Sequence, residues 1–102
     1  MKTFENLVFE THPMGNGFMS KMFFPNGYGV SVVRFKSPFG GGGSYTNGDQ
    51  WELAVLKGNN EEWDLCYDTG ITNDVIGYLE KDEVTEIMER IQNLPMVEYK
   101  LN

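Results

Sequence analysis

Arg34, Lys36, Ser37, Ser44, Tyr45, Thr46 and Asn47 surround four consecutive glycines, Gly40 to Gly43, and Trp51 closes the stretch. Glycines in a row expose backbone N–H groups with no side chain in the way, and such a concave run of donors can cradle an anion when one or two cations stand beside it. Tyr28, Tyr45 and Trp51 supply aromatic faces on which a base could stack. The candidate ligand set is therefore Tyr28, Arg34, Lys36, Ser37, Gly41, Gly42, Ser44, Tyr45, Thr46, Asn47 and Trp51. The loop they share, 37–50, is longer than a hairpin requires, so it reads either as a lid over a ligand or as a surface linker.

Other chemistries find less support. No Gly-Lys-Ser/Thr follows the glycines, and Gly15-Asn16-Gly17 does not open a helix, so neither is a nucleotide fingerprint. Gly42-Gly43-Ser44-Tyr45-Thr46 lacks the last glycine of a nucleophile elbow. Asp68-Thr69-Gly70 is the aspartic-protease tripeptide, but Val75-Ile76-Gly77 follows too closely to buttress it, and Asp and Gly also serve a turn. Glu62, Asp64 and Asp68, with Asn73 and Asp74, offer oxygens for Ca²⁺ or Mg²⁺ without an EF-hand pattern, and acids on an edge strand also deter sheet aggregation. One histidine, His12, and one cysteine, Cys66, cannot form a structural zinc site or an internal disulfide. Cys66 sits beside two aspartates, whose charge disfavours a thiolate. The expectation is a binding protein with no catalytic residues, no metal and no cofactor.

These residues must be placed by a scaffold, and its elements are legible. Leu7-Val8-Phe9 is a short extended run. Phe18 to Phe24 and Val30 to Phe35 flank Asn26-Gly27, a strong hairpin signal because both residues tolerate positive φ. Trp51 to Leu56 and Trp63 to Tyr67 flank Gly58-Asn59-Asn60, a second hairpin. Period-2 alternation puts Trp51, Leu53 and Val55 on one face and Trp63, Leu65 and Tyr67 on one face, so both tryptophan rows are expected on a shared buried face. Val84, Ile87, Met88, Ile91 and Leu94 form a stripe at helical spacing, opposite Asp82, Glu86, Glu89, Arg90 and Asn93, with acids in the first turn and Pro95 as the stop. Met96 to Leu101 alternates and reads as a final edge strand or a tail. The expected fold is one α+β domain over 1–102: an antiparallel sheet of about five or six strands packed by one C-terminal amphipathic helix.

Composition narrows the partners. The chain of 102 residues carries a net charge of −7, with four acids and five bases in residues 1–60 but eleven acids and three bases from 61 onward. An acidic C-terminal half disfavours direct binding to duplex nucleic acid, which needs clustered Lys and Arg. No segment approaches the roughly 18 apolar residues of a membrane span, and Met1 to Asn6 lacks the apolar stretch of a signal peptide, so a cytosolic location is expected.

Taken together, Phe23 to Val33, Trp51 to Gly58, Trp63 to Thr69 and Ile71 to Leu79 resemble a family of short tailed-phage and prophage proteins, over about Phe4 to Leu94. The resemblance implies a phage setting in the host cytoplasm and assigns no catalytic residue. In such a setting two function classes compete. One is an anti-defence sponge that sequesters a nucleotide-type immune signal, with Arg34, Lys36 and the glycines on phosphate and an aromatic ring on the base. The other is an acidic, nucleic-acid-mimicking inhibitor of a host defence nuclease. The loop favours the first reading and the acidic half the second. A virion or assembly role lacks a coiled coil, repeat or arm to recommend it. Partners compatible with these readings are a small nucleotide signal, a host defence protein, or a second copy in a homo-oligomer.

Overall fold

The computed structural model describes residues 1–11, 17–35, 46, 49–71 and 75–97. Six strands form one antiparallel sheet: β1 (Glu10–Thr11), β2 (Gly17–Phe23), β3 (Tyr28–Phe35), β4 (Trp51–Gly58), β5 (Trp63–Leu65) and β6 (Ile76–Leu79). They are ordered β1-β2-β3-β4-β5, with β6 pairing β4 alongside β5. One helix, α1 (Lys81–Gln92), covers a single face of this sheet, so the fold is α+β as the sequence predicts.

The β2–β3 hairpin turns through Pro25, Asn26 and Gly27. Gly27 N–H donates to the Phe24 carbonyl, Phe24 N–H to the Tyr28 carbonyl, and Gly27 takes φ 88°. This is the three-residue turn in which one left-handed residue restores strand register, so only the glycine needs positive φ. Asn26 does other work. Its Nδ2 donates to the carbonyls of Ile91 at 2.9 Å and Leu94 at 3.2 Å, and its Oδ1 accepts from Tyr28 N–H at 3.2 Å. The last carbonyls of a helix have no i+4 donor within it; here Ile91 accepts from Leu94 N–H as well as from the hairpin, and Leu94 accepts from the hairpin.

At the other end of α1, Glu83 reaches back to accept from Glu80 N–H, and Asp82 and Glu83 lie in the first turn, where their charge suits the helix dipole. Val84, Ile87, Met88 and Ile91 are buried against Val30 and Val32 of β3 and Leu53 and Val55 of β4. The outer arc Asp82, Glu86, Glu89, Arg90 and Asn93 is exposed. The N-terminal segment is strapped across the helix: Lys2 N–H donates to Gln92 Oε1, Gln92 Nε2 to the Lys2 carbonyl, and Phe4 N–H to Thr85 Oγ1.

Several expectations are corrected. Trp63, Leu65 and Tyr67 do not share a buried face with Trp51. The pairs Leu56↔Leu65 and Gly58↔Trp63 place the second tryptophan row with Leu56, on the face away from α1. Trp51 is 5% exposed, whereas Trp63 is 38% and Leu65 46% exposed. The cause is turn parity: residues 59–62 form the connection, Asn59 Oδ1 accepts from both Glu61 and Glu62 N–H, and Gly58 takes φ 132°. A shift of one residue in such a turn exchanges the faces of the whole strand. Cys66, opposite Val55, consequently enters the core. Leu7 to Phe9 form no strand, and β1 is Glu10–Thr11 instead. Met96 and Val97 are also outside any strand, Val97 N–H donating to the Asn26 carbonyl, while 98–101 lie outside the described residues.

β6 escapes sequence reading because its spacing is irregular. Trp51 pairs Leu79 and Leu53 pairs Ile76, so β6 carries one extra residue, and Tyr78 takes φ 57°. The bulge lets Leu79 and Ile76 both face the core.

Two substitutions test this packing by denaturant unfolding. Ile91→Ala, at a fully buried site, should lower stability by about 2–5 kcal/mol. Asn26→Ala should lower it by about 1 kcal/mol, because the part-buried helix-end carbonyls lose a side-chain donor. Changes below about half a kcal/mol, the range of surface substitutions, would refute these roles.

Candidate functional site

Continuing the β3–β4 register past Val33↔Glu52 brings Arg34 beside Trp51 on the helix-covered face. The Arg34 guanidinium lies over the indole, its Cζ 4.0 Å from the ring centroid. A planar, weakly hydrated guanidinium stacks well on an aromatic face, and the contact holds its donors in place. Beneath it, Phe4, Phe9 and Trp51 form a tilted trio, with Phe9 4.5 Å and Phe4 5.4 Å from Trp51 between centroids. Lys81, the first residue of α1, holds its Nζ 5.6 Å from the Phe4 ring.

Phe4, Phe9, Arg34, Asp49, Trp51 and Lys81 line a cleft of about 320 Å³. Among the described residues two cations and one carboxylate line it. Asp49 Oδ1 is 3.8 Å from Arg34 Nη1, and the Asp49 side chain is fully exposed, so solvent screens this pair. Trp51 Nε1 is buried and has no hydrogen-bond partner among the described residues, an uncommon state for a buried indole donor. Among the other clefts, one of about 370 Å³ at the β4–β5 connection carries Glu62 and Asp64 with Lys57, and one of about 460 Å³ is lined by Met1, Phe24, Pro25, Asn26, Gln92 and Met96. Among the described residues neither of these has a pair of lining Arg or Lys side chains, whereas the Arg34–Lys81 cleft does, which suits it to an anion.

The structure brings together two of the residues singled out in the sequence, Arg34 and Trp51. Trp51 is the floor under Arg34 and offers no open stacking face. Tyr28 stands at the opposite end of β3, opposite Lys57 and six residues from Arg34, about 20 Å along the strand. Thr46 is half-buried. Lys36, Ser37, Gly41, Gly42, Ser44, Tyr45 and Asn47, and with them the glycine run, lie outside the described residues. Sequence reading missed Phe4, Phe9, Asp49 and Lys81. Lys81 reads as an ordinary first-turn residue, Phe4 follows no strand or helix period, and Phe9 reads only as the end of a short extended run. The strap from Lys2 and Phe4 to α1 holds Phe4 against Trp51.

The acidic stretch 62–68 divides. Glu62, Asp64 and Asp68 are exposed, and Cys66 between them is buried. Burial pushes the Cys66 thiol up from its ordinary value, and its hydrogen bond to Asp68 Oδ1 at 3.0 Å adds to the shift. The same bond lowers the Asp68 carboxyl. Of the two neighbouring aspartates, Asp68 is the one that acts on the thiol, with burial the larger cause. Among the described residues, no three His, Cys, Asp or Glu side chains are grouped to hold a metal ion. No helix among them is long and apolar enough to cross a membrane.

Comparison of the chain with protein-family models, with curated proteins and with solved structures finds no match.

The thiol gives a titration test. A raised folded pKa means that its neutral form stabilises the fold below the unfolded value, and that this contribution is lost as pH rises through the folded one. Ultraviolet thiolate absorbance of the native protein should therefore rise with a midpoint above 9.0, the ordinary value. Asp68→Asn should bring the midpoint down. A native midpoint at or below the ordinary value would contradict the buried, hydrogen-bonded thiol.

Proposed function

We propose that the chain is a non-enzymatic binding protein that takes a small anionic, nucleotide-type ligand in the Arg34–Lys81 cleft. In the phage setting that the sequence resembles, it acts as an anti-defence sponge, sequestering a nucleotide immune signal in the host cytoplasm. The observation that carries this reading is the Arg34 guanidinium stacked on Trp51 across from Lys81, two held cations over an aromatic floor. Charge-assisted hydrogen bonds from Arg suit phosphate oxygens, and the half-buried Phe9 ring can pack against a flat base. The pre-set Arg34 contact also reduces the entropy lost on binding.

A second reading draws on the exposed arc Asp82, Glu86 and Glu89 of α1. Such a face suits the basic groove of a defence nuclease, and it uses residues apart from the cleft.

The readings separate by calorimetric titration with nucleoside phosphates, cyclic dinucleotides and ADP-ribose. Wild-type protein should bind at least one of them, and Arg34→Ala or Lys81→Ala should weaken that binding about tenfold or more, from loss of a charged contact of about 1.5–3 kcal/mol. Replacing Asp82, Glu86 and Glu89 with glutamine should leave binding unchanged. Absence of binding across the panel would refute the sponge. Loss of anti-defence activity in the folded glutamine variant would instead favour the inhibitor.

A further inference from the structure

We propose that β5 is a docking edge for an extended segment of a partner protein, a strand in which basic and apolar residues alternate. The surface lies apart from the Arg34–Lys81 cleft, so the proposal stands whatever that cleft binds.

β5 ends the strand order β1-β2-β3-β4-β5, and its three residues, Trp63, Asp64 and Leu65, are all exposed. A terminal strand turns half of its backbone groups outward. Cys66 N–H donates to the Val55 carbonyl and Asp64 pairs Lys57, so the alternation of an antiparallel ladder directs the N–H and C=O of Asp64 and Cys66 toward β4. Trp63 and Leu65 then direct theirs to the outer edge. Such an edge is a template for an added strand, held by main-chain hydrogen bonds while alternate side chains set the choice of partner.

The side chains specify which strand fits. On the face away from α1, Trp63 is 38% and Leu65 46% exposed, an apolar pair ready for apolar residues of an added strand. Lys21 Nζ, 4.6 Å from the Trp63 ring centroid, holds the indole in place. Asp64 alternates to the other face, and Glu61, Glu62 and Asp68 are exposed around it. The sequence from 61 to 68 contains these acids and no Lys or Arg. Glu62, Trp63, Asp64 and Leu65 also line the cleft of about 370 Å³ at the start of the strand. A Lys or Arg side chain can lay its stem along Trp63 there and bring its charge to the carboxylates.

Charge decides between occupants. A second copy paired antiparallel about Asp64 would bring the two Asp64 side chains face to face, and like charges directly opposite each other destabilise a sheet. The net charge of −7 adds to that repulsion. A basic strand meets opposite charge at the same positions. The acids that guard this edge against self-pairing therefore select its partner.

The test uses end-blocked, fluorescein-labelled peptides, with anisotropy for affinity and amide NMR shifts for location. Arg-Val-Arg-Val-Arg should bind the wild-type protein and shift the amides of Trp63 and Leu65. Its valines lie opposite those residues and supply main-chain donors, so N-methylating them should weaken binding about tenfold or more, as should Trp63→Ala. Asp64→Asn or Glu62→Gln should weaken it about threefold, while Glu5→Gln, an equal loss of charge elsewhere, should not, with circular dichroism unchanged in every variant. Glu-Val-Glu-Val-Glu should not bind. If the N-methylated or a scrambled peptide binds as tightly as the parent, the attraction is diffuse and strand docking is overturned. Failure of Arg-Val-Arg-Val-Arg to bind at low salt, or amide shifts on α1 instead of β5, would overturn it equally. A dimer in sedimentation equilibrium that Trp63→Ala dissociates would make a second copy the occupant and refute the basic partner.

Discussion

One amide side chain sets where the helix ends against the sheet on which it packs. Asn26, at the tip of the β2–β3 hairpin, donates to the last carbonyls of α1 and accepts from the backbone of β3, while its own carbonyl receives Val97 N–H. A helix C-terminus packed against a sheet leaves part-buried carbonyls without i+4 partners, and each hydrogen bond they gain contributes about 1 kcal/mol. Satisfying them from the hairpin fixes where α1 ends relative to β3. Because the helix is rigid, its other end, and with it Lys81, is fixed too. Gln92 and Thr85 then tie the N-terminal segment along the same helix and bring Phe4 onto Trp51.

The two faces of the sheet have different fates. Toward α1, Val30, Val32, Leu53 and Val55 make the core with the helix stripe. On the far face, Leu56 is also buried, but Trp63 and Leu65 stay partly open and Lys21 Nζ lies 4.6 Å from the Trp63 ring centroid. The β4–β5 connection controls this partition. By setting the parity of β5, it sends Cys66 inward and Trp63 outward, which also explains why the thiol is held neutral next to an exposed carboxylate.

Electrostatically the cleft opposes the chain that carries it. The overall charge is −7, and most acids lie beyond residue 60. Against this background the described lining of the cleft carries one base on β3 and one at the start of α1. The stacking of Arg34 on Trp51 keeps its charge at the sheet instead of leaving the side chain free to pair with distant surface acids. A long-range acidic field slows the approach of anions, so recognition at this site depends on short-range contacts.

What the sequence determined by itself are the features that local chemistry writes. The stripe Val84, Ile87, Met88 and Ile91 gives the helix, Pro95 stops it, and Asn26-Gly27 between apolar runs gives the central hairpin. Arg34 and Trp51 were likewise identifiable, because they flank the long loop at facing strand ends. Tertiary structure decided the rest. The parity of a four-residue connection, which no alternation pattern reveals, placed Trp63 outside and Cys66 inside. The bulge at Tyr78 hid β6 from a period-2 reading. The cleft itself needed Lys81 and Phe4, far from Arg34 in sequence, and these meet because backbone groups of an aperiodic N-terminal segment find hydrogen-bond partners on the helix. Such pairings arise only once both elements are docked, since their energy comes from satisfying groups that docking removes from water.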